Sequence, residues 1–243
     1  MKILLIQSRV EPEMRAHERA CITECLGLPP SDIHGIDSHK TTLEDIRLSG
    51  VDAIILGATG KTCILRESRE RVESFSCFAH EARRRRIPML GINFGAHILT
   101  IAFGGSVSHD EEHREVGSYT VRKCVAAAQD PIFRHLPDTF VVQLAHVDRM
   151  ERPPEEAAVL LSSDGCSTMA WSFPGEGIYA LEFQAESDKD DLAARLIGYH
   201  ETYAGAPGEL EYVMLRLRPS PEASRVLPLF LSEVVKKQQP MNV

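Results

Sequence analysis

Short apolar runs that alternate with helical repeats constrain the fold of this chain more than any other feature of its sequence. Residues 2–7, 51–56 and 88–92 are apolar runs with the length of buried strands. Residues 12–26 and 67–86, which lie between them, carry apolar side chains at helical spacing. Alternating strands and helices of this kind predict a parallel sheet with helices packed on both of its faces.

The pattern changes after residue 105, where strand-length segments follow one another without long helices between them. Successive strands joined by turns favour antiparallel pairing, so we expect antiparallel strands beside the parallel ones. The predicted strands of this half are 116–123, 139–144, 158–162, 168–172 and 178–183. The other predicted elements are a strand at 32–36, helices at 42–48, 95–103 and 187–202 (N-cap Ser187 or Asp188), a linker at 204–208, and a helix at 222–237 that Pro228 kinks or splits.

The charge and the apolar content of the chain argue against two classes of partner. Lys and Arg total 27 against 35 Asp and Glu, and the net charge of −8 opposes binding to a phosphate backbone. No run of about 18 apolar residues is present to span a bilayer, and the run at 2–7 is too short for a signal peptide. The six cysteines are scattered, which is typical of free thiols in the cytosol. We therefore expect a cytoplasmic protein without a nucleic-acid or membrane partner.

The segment Gly91-Ile92-Asn93-Phe94-Gly95 joins a predicted strand to a predicted helix. Two glycines at this spacing let the chain reverse sharply and present the central side chain, Asn93, above the sheet, as in a nucleophile elbow. The N-terminus of the following helix would add N–H groups suited to an oxyanion. A purely structural turn explains the same glycines equally well, and the spacing alone does not separate the two interpretations.

The elbow and the segments after it resemble the class I glutamine amidotransferases, and in particular their standalone, GMP-synthase-like members. In that family the elbow reads Gly-x-Cys-x-Gly-His-Gln and is followed by Gly-Gly, as Gly104-Gly105 follows here. Further similar segments occur in the family's order: residues 51–57 before the oxyanion loop, residues 130–137, His146-Val147-Asp148, and Glu182-Phe183-Gln184-Ala185-Glu186 for Gln-Phe-His-Pro-Glu. The resemblance covers about residues 1 to 203. It implies an α/β fold: an open, mostly parallel sheet flanked by helices in a flavodoxin-like, three-layer arrangement, with added antiparallel strands.

The departures from the family pattern fall on its catalytic residues. Asn93 stands at the position of the cysteine nucleophile and Gln184 at that of the catalytic histidine, while Glu186 matches the third member of the triad. An amide side chain cannot attack as a thiolate, and Gln cannot shuttle protons near neutral pH as an imidazole does. We therefore predict that the chain has no ordinary glutaminase activity.

The resemblance places a further set of candidate residues around the former glutamine pocket. The catalytic candidates are Asn93, Gln184, Glu186 and His97, and the ligand-binding candidates are Gly57, Ala58, Phe94, His146, Asp148 and Cys63. If Glu186 approached His97 or His146, general acid–base chemistry would be feasible, although a structural hydrogen-bonding role explains either histidine. Cys63 is a displaced nucleophile or a buried, inert thiol. Residues 109–113 are interpreted as a solvated loop rather than a metal site, and no metal or cofactor is expected.

Three functions remain open. The first is an enzyme that has lost glutaminase activity and performs thiol-independent acid–base chemistry (condensation, cyclisation or hydrolysis) on a small carbonyl-containing metabolite. The second is a non-catalytic relative that acts as a binding or regulatory partner of a synthetase. The third is residual amide hydrolysis through Cys63. Domains are predicted at 1–205 and 206–243, and the second, an apolar helical extension, packs on the core or forms a homodimer.

Overall fold

The structure is a computed structural model that describes residues 1–60, 63–112, 114–203 and 208–238. The strands are β1 (Ile3–Gln7), β2 (Ile33–Asp37), β3 (Ala53–Leu56), β4 (Met89–Ile92), β5 (Ser106–His109), β6 (Glu115–Lys123), β7 (Thr139–His146), β8 (Asp148–Arg152), β9 (Ala158–Ser162), β10 (Ala170–Phe173) and β11 (Ile178–Leu181). The helices are α1 (Pro12–Leu26), α2 (Arg69–Arg84), α3 (Phe94–Ala102), α4 (Lys189–Gly198), α5 (His200–Tyr203), α6 (Glu209–Leu215), α7 (Val226–Leu229) and α8 (Lys236–Gln238).

Nine of the described strands form one mixed sheet in the order β2-β1-β3-β4-β11-β10-β9-β6-β7. Its first five strands are parallel, and the strands from β11 to β7 pair antiparallel. Strands β5 and β8 form a separate antiparallel pair. The predicted α/β class, with a mostly parallel sheet and added antiparallel strands, is confirmed.

The core lies in two layers, one on each face of this sheet. Alternate residues of β1 divide between them: Ile3 and Leu5 pack with α1 and the C-terminal helix, and Leu4 and Ile6 pack with α2 and α3. Side chains of consecutive strand residues point to opposite faces, so a run that is apolar throughout must be covered on both. The fully buried β1 therefore sits in the middle of a three-layer structure.

Residues 223–235 belong to the same core as the parallel strands. Val226, Leu227 and Phe230 are each at most 1% exposed, and the Phe230 ring meets the edge of Tyr179 on β11 with ring centres 6.0 Å apart. The helix predicted at 222–237 is present, and it widens to π-helix at Phe230–Val235, immediately after α7 with its Pro228. A proline lacks an N–H and crowds the preceding turn, which disturbs the regular ladder of helical hydrogen bonds.

Some predicted elements differ from the structure. The helix predicted at 42–48 was wrong: a single 3₁₀ turn, Leu43–Asp45, ends where Ile46 becomes extended. The helix predicted at 187–202 starts instead at Lys189 with Asp188 as N-cap, and it is divided at Tyr199. Strands β5 and β8 and the short helix α6 were not predicted from the sequence.

Most of the predicted linker at 204–208, and with it the boundary predicted between 205 and 206, lies outside the described residues. Across the described ranges, no helix combines the length and the apolar character that crossing a bilayer requires.

Candidate functional site

The carboxyl ends of the parallel strands gather the candidate residues at one edge of the sheet. Ser8 and Arg9 follow β1, Gly57 and Ala58 follow β3, Asn93 follows β4, and Glu182 follows β11. Ligands of open α/β sheets bind at this edge, because the loops that leave neighbouring strands meet there.

The turn at Asn93 has the backbone of a nucleophile elbow. Asn93 has φ 51° and ψ −107°, a backbone conformation that residues other than glycine rarely adopt. A Cβ on Gly95 would lie 2.0 Å from the carbonyl oxygen of Leu56, so α3 approaches β3 too closely for any side chain there. The Asn93 N–H donates to the carbonyl of Leu181 at 2.7 Å, and its Nδ2 donates to that of Glu182 at 3.4 Å. The elbow conformation is therefore present although its central residue carries no nucleophile.

The strained backbone at Asn93 should lower the free energy of unfolding. We expect Asn93→Gly to raise the free energy of unfolding relative to Asn93→Ala by about 1–3 kcal/mol, because glycine accepts this conformation without the steric cost. Both variants lose the amide, so urea unfolding of the pair isolates the backbone contribution. Equal stability of the two would contradict a strained elbow.

Gln184 and Glu186, the other two triad positions, are tied to a buried arginine. Arg195 on α4 is 2% exposed, and its Nη1 donates to Glu186 Oε1 at 2.6 Å and also to Gln184 Oε1. The condition that Glu186 approaches His97 or His146 is not met, because Glu186 pairs with Arg195 and both histidines lie against Glu182. Gln184 and Glu186 therefore hold α4 to the sheet edge and do not line the cavity described below.

In the loop after β3, where the family pattern implies an oxyanion hole, a backbone N–H is bound by a buried carboxylate. Glu18 on α1 is fully buried, and its Oε1 accepts from the Ala58 N–H at 2.9 Å and from Arg9 Nε at 3.1 Å. Gln7 Nε2 donates to the second oxygen at 3.1 Å. A carboxylate that occupies the Ala58 N–H leaves that group unavailable to a developing oxyanion.

Glu182 is the centre of a buried network of histidines and carboxylates. Its Oε1 lies 2.6 Å from His97 Nε2 and 3.1 Å from His146 Nδ1, and its Oε2 accepts from the Met150 N–H at 3.0 Å. His146 Nε2 lies 3.0 Å from Glu115 Oε2. Burial alone would raise the pKa of Glu182, but the two histidines hold it well below its usual range, so this carboxylate accepts hydrogen bonds from both.

Two carboxylates keep His146 protonated. Burial alone would lower the pKa of His146, but Glu182 and Glu115 raise it to about 10. A raised pKa adds stability that is fully present below the unfolded value of about 6.5 and is lost as the pH rises toward 10. We expect the free energy of unfolding of the wild type to fall over this window by about 1–3 kcal/mol more than that of His146→Gln. Urea titrations at three pH values check it, and parallel curves for the two proteins would contradict it.

A cavity of about 180 Å³ opens at the elbow. Of the predicted site residues, Asn93, Phe94, His97, Cys63, His146 and Asp148 line it. Gly57, Ala58, Gln184 and Glu186 do not, although Thr59 and Gly60 of the same loop do. At the bottom of the cavity His97 uses Nε2 for Glu182, and its Nδ1 makes no hydrogen bond with any described residue. The cavity thus combines an amide, an imidazole with a free nitrogen, and a carboxylate.

Cys63, His109 and Asp148 meet at one wall of this cavity. His109 Nδ1 lies 2.7 Å from Asp148 Oδ1, and one ligand-type atom from each of the three residues lies within 4.8 Å of the others. Burial, with the Asp148 carboxylate nearby, raises the pKa of the Cys63 thiol, so little of it is thiolate near neutral pH. His109 is therefore engaged with a carboxylate rather than simply solvated as predicted, and His113 lies outside the described residues.

Among the charged residues of the site that were missed from the sequence, three carried a detectable signal. Glu18 and Arg195 interrupt the apolar faces of their helices, four residues from Ile22 and three from Leu192, and a charge there predicts a buried pair. Glu182 stands where the family motif has a neutral Gln. Glu115 gave no such signal.

The open sheet flanked by helices, with a nucleophile-elbow turn at its carboxyl edge, defines this protein as an α/β protein of the kind that carries its site at such an elbow. The family model "Glutamine amidotransferase class-I" matches residues 31–194, more than half of the chain. The chain belongs to the class I glutamine amidotransferase family.

Similar proteins include GMP synthases. The chain is 36% identical over 100 residues to a GMP synthase [glutamine-hydrolyzing] of Lactobacillus delbrueckii, a match that covers 41% of this chain and 19% of that protein. It is 28% identical over 105 residues to a GMP synthase [glutamine-hydrolyzing] subunit of Methanocaldococcus jannaschii, covering 43% and 54%. A glutamine amidotransferase structure from Thermotoga maritima shares the fold with a TM-score of 0.73 at 18% identity, over 98% of this chain and 97% of that one. The matches thus span about a fifth to a half of these curated relatives.

Proposed function

We propose that this chain does not hydrolyse glutamine, and that its elbow cavity binds a small carbonyl-containing metabolite on which the His97–Glu182 pair performs acid–base chemistry. The observation that carries the proposal is the retained elbow with a rebuilt surround. Asn93 keeps the elbow backbone, while Glu186 is bound to Arg195 and a histidine–carboxylate pair lies beneath the cavity. Condensation, cyclisation and hydrolysis all fit these groups.

Three features of the site oppose glutaminase activity. Asn93 supplies no thiolate, Gln184 supplies no base, and the Ala58 N–H is occupied by Glu18. The members of a catalytic triad act as a unit, so the replacement of two of them removes most of the rate enhancement that the triad provides.

His97 is the residue of the cavity best suited to acid–base chemistry. Its Nε2 is fixed by the Glu182 carboxylate, which orients the ring and leaves Nδ1 as the group that a bound ligand can reach. His146 is less suited to proton transfer, because both of its nitrogens are engaged, with Glu115 on one side and with Glu182 and the Asp148 carbonyl on the other. Its positive charge is already neutralised by the Glu115 and Glu182 carboxylates. The Asn93 amide would orient the carbonyl oxygen of the ligand.

The experiment that tests this proposal is a screen of small carbonyl metabolites by ligand-observed NMR with the wild type and three variants. We expect Asn93→Leu to abolish binding because its side chain fills the cavity, and Cys124→Ser, outside the cavity, to bind as the wild type does. With a compound that binds, His97→Gln should keep binding and lose conversion. Equal binding by Asn93→Leu, or unchanged turnover by His97→Gln, would refute the proposal.

A second candidate is a non-catalytic partner of a synthetase. It is supported by two exposed apolar side chains on α6, Leu215 at 88% and Tyr212 at 58%, and by a relative that is named as one component of GMP synthase. We expect Leu215→Asp to prevent co-elution with a synthetase in size-exclusion chromatography if this candidate holds. A homodimer through the same surface would appear in that measurement as a larger species without the partner.

Glutamine hydrolysis through Cys63 ranks last of the three candidates. A thiol whose pKa is raised is a weak nucleophile at neutral pH, and the adjacent Asp148 carboxylate opposes the thiolate further. Glutamate release by the wild type that Cys63→Ser abolishes would promote this candidate above the other two.

A further inference from the structure

An unpaired carboxylate oxygen sits in the wall of the elbow cavity. Asp148 is 3% exposed and lines the cavity, and its Oδ2 has no hydrogen-bond partner among the described residues. An uncompensated buried carboxylate oxygen is costly, so such an atom indicates a ligand that supplies positive charge or a hydrogen bond.

The atoms around this oxygen match the ligand set of one class of metal. Cys63 offers a sulfur, His109 a ring nitrogen and Asp148 an oxygen, all within 4.8 Å of one another. Zinc accepts this mixture, and a tetrahedral ion with bonds of about 2.0–2.3 Å holds its ligand atoms about 3.3–3.8 Å apart. Magnesium and calcium prefer oxygen alone, so the sulfur and the imidazole favour a softer ion.

We propose that Cys63, His109 and Asp148 bind a zinc-type divalent cation whose fourth position faces the elbow cavity. In this site the cation replaces both the proton between His109 Nδ1 and Asp148 Oδ1 and the thiol proton of Cys63, which are released to solvent, and it gives Asp148 Oδ2 a neighbouring positive charge. Three protein ligands and one open position are the arrangement of zinc sites that also bind a small molecule. The site does not depend on the acid–base chemistry proposed above.

Glu111 supports the arrangement from outside the ligand set. Its Oε2 lies 3.7 Å from His109 Nε2, on the ring nitrogen opposite the one that faces Asp148. At this distance the carboxylate does not hydrogen-bond to the ring, but its negative charge favours a cation bound at the other nitrogen. Arg66 also lines this cavity, and the negative charge of Glu111 offsets its positive charge there.

A second group of the same three residue types provides a control within the chain. His17, Cys21 and Asp191 also lie close together, but there Asp191 Oδ1 already has two partners, Cys21 Sγ at 3.3 Å and His17 Nε2 at 3.4 Å. This group lies outside the elbow cavity. Cys21→Ser is therefore the matched control for Cys63→Ser.

The experiment measures Zn²⁺ binding to the full chain by titration calorimetry, and Co²⁺ binding by absorption. We expect one Zn²⁺ per chain, binding that is weakened more than about tenfold in Cys63→Ser and Asp148→Asn, less than about tenfold in Glu111→Gln, and unchanged in Cys21→Ser. The thiolate-to-cobalt band should vanish in Cys63→Ser and remain in Cys21→Ser. Because Cys63→Ser is nearly isosteric, the result stands even if Asp148→Asn does not fold. No bound Zn²⁺, or unweakened binding by Cys63→Ser, would overturn the proposal.

Discussion

The double variant Asn93→Cys with Gln184→His should release no glutamate from glutamine above the background of the wild type. It restores the two family residues that this chain lacks, yet the groups that must serve them are already engaged. Arg195 holds the Glu186 carboxylate that would orient the new histidine, and Glu18 holds the Ala58 N–H. A complete triad and oxyanion hole account for a rate difference of about 10⁴-fold or more, so the assay has ample range.

Adding Arg195→Leu to this double variant provides the matched comparison. The change removes the guanidinium and leaves Glu186 free to accept from the histidine at position 184. We expect glutamate release first to become measurable in this triple variant, provided that it remains folded by circular dichroism. Glutamate release by the double variant, without the change at Arg195, would show that neither Arg195 nor Glu18 prevents the restored triad from working.

Replacement of Glu182 should have the largest effect on stability. We expect Glu182→Leu to lower the free energy of unfolding by about 3–5 kcal/mol, because it leaves the protonated His146 with one carboxylate fewer and the Met150 N–H without its acceptor. Glu182→Gln keeps an acceptor for Met150 and should cost roughly half as much. Urea unfolding at pH 7 measures both.

The control for Glu182 is Glu155→Leu, which removes a carboxylate from an exposed position. Surface substitutions of this kind change stability by about 0.5 kcal/mol or less. A loss in Glu182→Leu no greater than that in Glu155→Leu would mean that the histidine network contributes nothing to the fold.

The fold was predictable because it depends on periodicity and on turn chemistry, both of which are local. The strands β1, β3 and β4 are buried throughout, and Gly91 and Gly95 permit a close approach that a Cβ would block. The α6 helix was missed because its seven residues bury no side chain and so leave no periodic pattern. The predicted helix at 42–48 failed because Leu43, Ile46 and Leu48 pack against the core from a 3₁₀ turn and an extended segment instead.

The site was predictable in its position but not in its pairing. The family motifs located Asn93, His97, His146 and Asp148, and these residues line one cavity. Which carboxylate faces which histidine depends on contacts between elements that are distant in sequence, β11 with α3 and β6 with β7, and local sequence patterns do not reveal such contacts. The partnership of Glu186 with Arg195 rather than with a histidine is of the same kind.

The packing of residues 223–235 against the parallel strands affects how the chain folds during its synthesis on the ribosome. Phe230 covers Tyr179, whose hydroxyl donates to Asp130 at 3.1 Å, so one face of β11 is completed by a segment made some fifty residues later. Until that segment leaves the exit tunnel, the nascent sheet displays apolar surface, the condition in which chaperones engage incomplete domains.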